Sequence, residues 1–485
     1  MARYAYEPLT AADNAFLALE DGNAHMHIGA VTVFETASLA NESGGVDIGR
    51  IRSYVASRLD QIPRYRQRLD YVPIERLPVW VDDDHFNIAY HVRHTSLPRP
   101  GTTEQLKLLA GRIDSQGLDR SKPLWEFWVV EGLEGGRHFA VIQKVHHCMI
   151  DGISGVDLMA VLLNPFPTTT FLPPRAFVPR PAPSPVVLAA EELWRRVARP
   201  VAALASVPAL LSDPSQVVRE VVDGVEGVAE TLTSTIRPAS PTPWNQPIGP
   251  HRRLDWLALP LEDIKAVKNA LGGTVNDVVL ATVAGAVRTF LEHRGINPDF
   301  LRIRANVPVS VRSTEERGHL GNRIALWMTD LPVDEADPVT RLDRIRATTA
   351  RLKESKQALG AQVLASVSDM TTWRLLSLAV RLSTRSRPFN LVVTNVPGPQ
   401  LELYLLDAPL RQIYPMVNLL ENQGLGVALF SYMGTLYWGV LADWDLVPDL
   451  HVFVEAIRES FVQLQKAARM ELAGQEGPGM KLAAR

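Results

Sequence analysis

Cysteine is almost missing from this sequence. Only Cys148 carries a thiol among 485 residues, so no disulfide can form within the chain. That suits a reducing compartment, and a cytoplasmic location is the expectation. An excess of one charge is missing too: 50 Lys and Arg stand against 53 Asp and Glu, a formal net charge of −3. A nucleic-acid footprint needs a basic surplus, so no nucleic-acid partner is expected. Long hydrophobic runs are also absent. The nearest, PVAALASVPALL at 200–211, is short and broken by Pro208, whereas a spanning helix needs about 18 or more apolar residues in a row. Peripheral contact with a membrane stays open. The opening MARYAYEPLTAADNAF lacks the apolar stretch of a signal peptide.

What is present is an ordinary globular composition, 46% hydrophobic and 21% charged. The length favours two domains and a linker. Residues 10–20 read as a short helix and AHMHIGAVTVFE as a strand. Ile51, Tyr54, Val55 and Leu59 fall on one helical face. Residues 86–97 alternate as a strand does, and TEQLKLLAGRIDSQGL reads as a helix with Gly117 at its C-cap. Two strands, 124–131 and 138–145, flank the turn GLEGGR. Residues 165–185 hold eight prolines, too many for a packed element, and two helical stretches follow within 186–235. From about residue 251 come a strand, a helix at 261–271 and a long helix that Thr274 and Asp277 should cap. The strands RIRANVPVSVR and FNLVVTNVPGP, helices near 338–357 and 360–385, a hairpin over GLGVALFSYMGTLYWGVLAD and a closing helix complete the chain. The expected division is 1–164, a linker at 165–250, a second domain at 251–475 and a loose tail at 476–485.

The chemistry concentrates in KVHHCMIDGISG, residues 144–155, where a strand gives way to a helix for which Ser154 and Asp157 would form a capping box. Four readings compete. A metal site lacks HExxH and any cysteine pair, so none is expected. A serine hydrolase lacks the G-x-S-x-G elbow, because the second glycine of Gly152-Ile153-Ser154-Gly155 comes one place early. Cys148 would face away from His147 on an extended backbone and suits a small buried apolar residue. Two histidines could simply end a strand. Yet two imidazoles, an acid, a glycine and a helix start within seven residues fit a lone general base better. A histidine titrating near 6.5 can take a proton from an alcohol and return it to a leaving group.

His146-His147-Cys148-Met149-Ile150-Asp151-Gly152 also resembles the HHxxxDG signature of acyl-CoA-dependent acyltransferases. PLTAADNAFLALE, PLWEFWVVEGLEGGR, TVNDVVLA, NVPVSVR, GNRIALWMTDLP and TNVPGP occur in order around it. Together these blocks look like the bacterial wax ester synthase/diacylglycerol acyltransferase family, over nearly the whole chain. The resemblance implies an α/β fold of two chloramphenicol-acetyltransferase-like domains, each a mixed sheet flanked by helices, with a tunnel between them. It implies His147 as general base, His146 in support, Asp151 as mainly structural and Gly152 in the turn. Pro123, Leu124 and Trp125 match a block that lines substrate or supports the site. Asn276 and Asp277 match a block that shapes it, although first-turn residues often serve only the backbone.

The expected reaction is direct transfer from acyl-CoA to a diacylglycerol hydroxyl, with fatty alcohol as second acceptor. No cofactor is expected beyond acyl-CoA as co-substrate. Asn276 and Thr394, with Asn395 beside it in TNVPGP, are candidates to hold the oxyanion or line the substrate site. Arg312 can pair with Asp151 or stay solvated. A peripheral membrane or lipid-droplet surface is the remaining candidate partner. Two rivals survive: a superfamily member taking a polar or carrier-bound acceptor, and a non-catalytic lipid binder.

Overall fold

The computed structural model describes residues 6–73, 76–149, 161–190, 238–310, 324–354 and 388–476. Two six-stranded mixed sheets organise them. The first runs in the order β12 (Tyr404–Leu405), β13 (Ala408–Met416), β2 (His27–Glu35), β7 (His138–His146), β6 (Trp125–Leu133) and β5 (Val92–Ser96). Its pairs are antiparallel except β5 with β6. The second runs β10 (Ile324–Leu331), β9 (Ile303–Ser310), β11 (Leu391–Pro397), β14 (Leu425–Tyr432), β15 (Thr435–Asp443) and β8 (Arg252–Pro260). There β11 runs parallel to both neighbours. A small sheet pairs β4 (Pro78–Asp82) with β1 (Tyr6–Pro8) and β3 (Gln67–Tyr71).

Each large sheet has its own apolar core. Helix α2 (Ile48–Arg58) buries Ile51, Tyr54 and Val55 in the first, and α4 (Thr103–Asp114) adds Leu106, Ala110 and Ile113. In the second, α6 (Val275–His293) is apolar nearly all round and packs against α7 (Pro338–Glu354) and α8 (Leu450–Glu476), while α5 (Leu261–Leu271) buries Leu261, Ile264 and Val267. A helix without a polar face belongs in an interior, and α6 occupies one. The box expected at its start forms: Thr274 Oγ1 accepts from the Asp277 amide at 3.2 Å, and Asp277 Oδ2 accepts from the Thr274 amide at 2.8 Å.

The first sheet takes β12 and β13 from late in the chain, and β13 pairs with β2. No strand was assigned to 408–416 from sequence, because its polar interruptions and Pro415 hide the alternation. Where β13 crosses the second sheet, a Cβ on Gly439 would overlap the Pro415 carbonyl oxygen, so the backbones touch. Trp256 of β8 stacks on Tyr414 at 4.6 Å. The main chain of α4 also lies against β8: the Arg252 amide donates to Ser115 Oγ at 2.8 Å, and a Cβ on Gly111 would stand 2.7 Å from the Arg252 oxygen.

Two local expectations need correction. Residues 86–97 are not one strand: a helical turn, α3 (Ile88–His91), precedes β5 because Asn87 accepts from the Ala89 amide at 2.9 Å and caps it. Helix α4 ends at Asp114 with Ser115 as C-cap, not at Gly117. Gly117 instead sits under the His25 ring, where a Cβ would be 3.2 Å from Cε1. The helices expected at 360–385 and across most of 186–235, with the box of Ser154 and Asp157, lie outside the described residues. Among the described residues no single helix is long and apolar enough to cross a membrane.

Candidate active site

The paired histidines stand where β7 ends. His146 closes the strand opposite His27 of β2, and His147 opens a tight turn over His147–Met149. Main-chain bonds fix both: the His146 amide donates to the Leu124 oxygen at 2.9 Å, and the His147 amide donates to the Met26 oxygen at 2.8 Å. The two amides thus bond to chains on opposite sides of β7, and the two rings meet different partners.

His147 is half-buried. Phe16 of α1 (Ala11–Leu19) stacks on its ring, with centroids 3.8 Å apart and planes 18° from parallel. The block PLTAADNAFLALE explains this. Thr10 and Asp13 box the start of α1, with the Asp13 amide donating to Thr10 Oγ1 at 3.1 Å, and one turn later Phe16 faces the imidazole. Burial pulls the His147 pKa down to about 4, with a smaller lowering from His146 and a partial offset from its own main chain. The ring is therefore neutral at neutral pH, the state a general base needs. Its Nδ1 is buried and has no hydrogen-bond partner among the described residues.

His146 has a different job. Its Nδ1 accepts from the Cys148 amide at 3.1 Å, which leaves the proton on Nε2. That nitrogen stands 3.6 Å from Glu20 Oε2, an ion-pair distance. Burial lowers the His146 pKa despite the carboxylate. Glu20 follows directly on α1, and Arg120 also grips it: Nε donates at 3.1 Å, and Nη2 bonds the same oxygen. Burial alone would raise the Glu20 pKa, but His146 and Arg120 outweigh it and hold the carboxyl at about 2.

Further polar contacts lie behind this pair. His27 Nε2 meets Asp114 Oδ1 at 3.0 Å. Lys144 of the motif is fully buried and donates to the carbonyls of Ile113 and Gln116 at 3.0 and 2.8 Å, capping the end of α4 with a cation as the helix dipole favours. Glu20, Arg120, Phe16, His27 and Lys144 are residues that sequence reasoning missed. Phe16 and Glu20 lie within a recognised block, and the helical spacing of Thr10, Asp13, Phe16 and Glu20 was the available signal.

The other site residues fall into separate places. Leu124 and Trp125, expected to line substrate, are fully buried in the core of the first sheet, and Pro123 is buried beside them. Trp125 Nε1 donates to the Tyr65 oxygen at 2.8 Å, and His91 stacks on its indole at 4.5 Å. The Leu124 carbonyl in turn accepts the His146 amide, so this block supports the strand end that carries the histidines. Asp277 is buried with both carboxylate oxygens engaged: Oδ2 in the helix cap, Oδ1 by Thr349 at 2.7 Å. Asn276 beside it is half-buried, and its side chain bonds no described residue. Thr394 and Asn395 lie half-buried in β11, in register with Ala428 and Leu429. Among the described residues no hydrogen bond or ion pair joins these second-sheet residues to the histidines. Just after β13, Asn418 Nδ2 comes 3.3 Å from Met26 Sδ, beside the carbonyl that holds His147. Asp151, Gly152 and Arg312 lie outside the described residues.

Cys148 is fully buried, and burial, with Asp13 and Glu20 adding to it, raises its pKa well above the ordinary thiol value. Both features work against a nucleophilic thiolate. Among the described residues no group of three or more His, Cys, Asp or Glu side chains is placed to hold a metal ion.

Two six-stranded mixed sheets, the first completed by strands from late in the chain, carry paired histidines at a strand end, and the same fold occurs in solved acyltransferases and condensation domains. A starter condensation domain of rhizomide synthetase, solved in complex with C8-CoA, superposes with a TM-score of 0.56 over 96% of this chain and 94% of its own, at 12% identity, which establishes the fold alone. The particular family follows from sequence. The profile of the wax ester synthase/diacylglycerol acyltransferase catalytic domain matches residues 9–279, and that of the family's C-terminal domain matches residues 320–465. This chain belongs to the wax ester synthase/diacylglycerol acyltransferase family. A protein of Mycobacterium tuberculosis named "Probable diacyglycerol O-acyltransferase" is 32% identical over 94% of this chain and 95% of its own. The wax ester synthase/diacylglycerol acyltransferase of Marinobacter aquaeolei superposes with a TM-score of 0.67 at 25% identity, covering 96% of this chain and all of that one.

Proposed function

We propose that this protein transfers a fatty acyl group from acyl-CoA to the hydroxyl of diacylglycerol, forming triacylglycerol, and to fatty alcohols, forming wax esters. The acceptor hydroxyl donates a hydrogen bond to His147. As the oxygen attacks the thioester carbon, the imidazole takes the proton, and a tetrahedral oxyanion forms. Asn276 and Thr394 are the proposed donors to that oxyanion. The carbon–sulfur bond then breaks, and the imidazolium returns its proton to the CoA sulfur. No acyl-enzyme intervenes, so neither Cys148 nor Ser154 is needed.

One observation carries this reading: His147 is kept neutral by burial and clamped between a main-chain bond and the Phe16 ring. In this reading Glu20 and Arg120 orient His146, and Asp151 and Gly152 of the motif have supporting roles. The division 1–164, 165–250 and 251–475 is proposed as the functional one, with the substrates meeting between the two larger parts. No bound cofactor takes part. The protein works at the cytoplasmic side, on lipid drawn from a membrane or droplet surface.

Labelled acyl-CoA supplied with diacylglycerol, hexadecanol or no acceptor tests the proposal. Labelled triacylglycerol and wax ester, both lost in His147→Ala, are the expected products. Full transfer by His147→Ala, or a labelled thioester trapped on Cys148, would overturn it.

A further inference from the structure

Residues 165–184 form an extended strap without helix or strand. Its contacts alternate. Phe171 packs edge-on against Tyr54 at 5.4 Å. Phe177 does the same to Phe86 at 6.3 Å and receives the Arg66 guanidinium at 5.0 Å. Arg180 locks the strap with Nε and Nη2 on the Asp82 carboxylate at 2.9 and 2.8 Å. The residue after each phenylalanine faces solvent instead. Leu172 is 83% exposed and Val178 81%, and Phe166 and Val186 at either end are 75% and 77% exposed. Arg175, midway between Leu172 and Val178, is exposed as well.

Prolines hold φ near −65° and favour an extended helix of three residues per turn. Leu172, Arg175 and Val178 are all exposed, while Phe171 and Phe177 are half-buried against the first domain's helices and loops. The three exposed side chains read apolar, cationic, apolar. No Asp or Glu occurs anywhere in 165–190, in a chain whose net charge is −3. A solvated linker has no physical reason to present four large apolar side chains and no acid.

We propose that this strap is a docking surface for an anionic phospholipid interface. Leu172 and Val178 would enter the acyl boundary while Arg175 meets the headgroup phosphates. The strap would hold the enzyme against the surface from which its lipid acceptor is drawn, so the inference rests on the acyltransfer reading above.

Vesicle sedimentation of the full chain tests it, with no substrate present. Wild type should bind vesicles of phosphatidylcholine with phosphatidylglycerol more tightly than pure phosphatidylcholine. Leu172→Ser with Val178→Ser should weaken binding by about tenfold or more on both, given the apolar area withdrawn. Arg175→Glu should weaken it on the anionic vesicles alone. Every altered side chain is exposed, so thermal melting should match wild type, and transfer to hexadecanol in detergent should persist. Equal binding by wild type and the double variant would overturn the proposal. So would a lowered melting temperature in that variant, which would mean that Leu172 and Val178 are packed against protein. Vesicle binding without transfer in any assay would instead sink the acyltransfer reading and leave the surface standing.

Discussion

Replacing Glu20 with glutamine tests the electrostatics behind the histidine pair. The substitution keeps the shape of the side chain and removes its charge, so Arg120 and His146 lose their common partner. In the folded protein the carboxyl titrates at about 2 rather than at its ordinary 4.5. That difference corresponds to about 3 kcal/mol of stability. Because the folded value is the depressed one, the contribution is complete above the unfolded value near 4.5 and disappears as pH falls through about 2. Urea unfolding of wild type and Glu20→Gln, followed from about pH 7 down to about pH 2, measures it. The variant should be less stable by about 3 kcal/mol near neutrality, and the gap should close on acidification. A gap that stays constant across the range, or is absent at neutral pH, would show that Glu20 is not held by charge and would remove the basis for its orienting role.

The remaining predictions concern chemistry and packing. His147→Ala should reduce turnover by about 10²–10⁴-fold, the range of a lost general base. With the His147 pKa lowered to about 4, kcat/KM in the wild type should stay level from about pH 7 down to about pH 5 and fall only as the ring takes up its proton. An acid limb centred near 6.5 would mean that burial does not govern the base. Trp125→Ala should cost about 3–5 kcal/mol in chemical unfolding, because the indole is fully enclosed; a loss confined to KM would favour substrate contact instead. Cys148→Ala should keep near-wild-type turnover, and the native thiol should react with iodoacetamide only on unfolding; rapid labelling of the folded protein contradicts the burial. Gly439→Val should destabilise both sheets in one thermal transition, since its side chain would collide with the Pro415 carbonyl; an unchanged melting temperature would show that the backbones part there easily.

Much of the second half was legible because its signals are local. Thr274 and Asp277 announce the start of α6, and the runs RRLDWLALP and GLGVALFSYMGTLYWGVLAD mark β8, β14 and β15 within a residue or two. The histidine turn was legible because its residues are neighbours in sequence. The material behind it was not. Glu20 reaches His146, and His27 reaches Asp114, only after β2 pairs with β7 and α4 packs behind them. Pattern reasoning also put Leu124 and Trp125 at the substrate, because a Pro-Leu-Trp block beside a catalytic strand suits a wall or a buttress equally well. Burial decided it. The strand β13 was hidden for a related reason: nothing near residue 408 tells a chain segment that its partner is β2.

That partnership bears on how the protein is made. Strand β13 emerges from the ribosome about 370 residues after β2, which at roughly 5–20 residues per second is on the order of 20–70 s. Throughout that interval β2 offers the open edge of an unfinished sheet, the kind of surface on which chains aggregate. The enzyme's yield in a cell should therefore depend on translation speed and on a chaperone able to shield that edge, and a fragment stopped before residue 408 should require the same protection indefinitely.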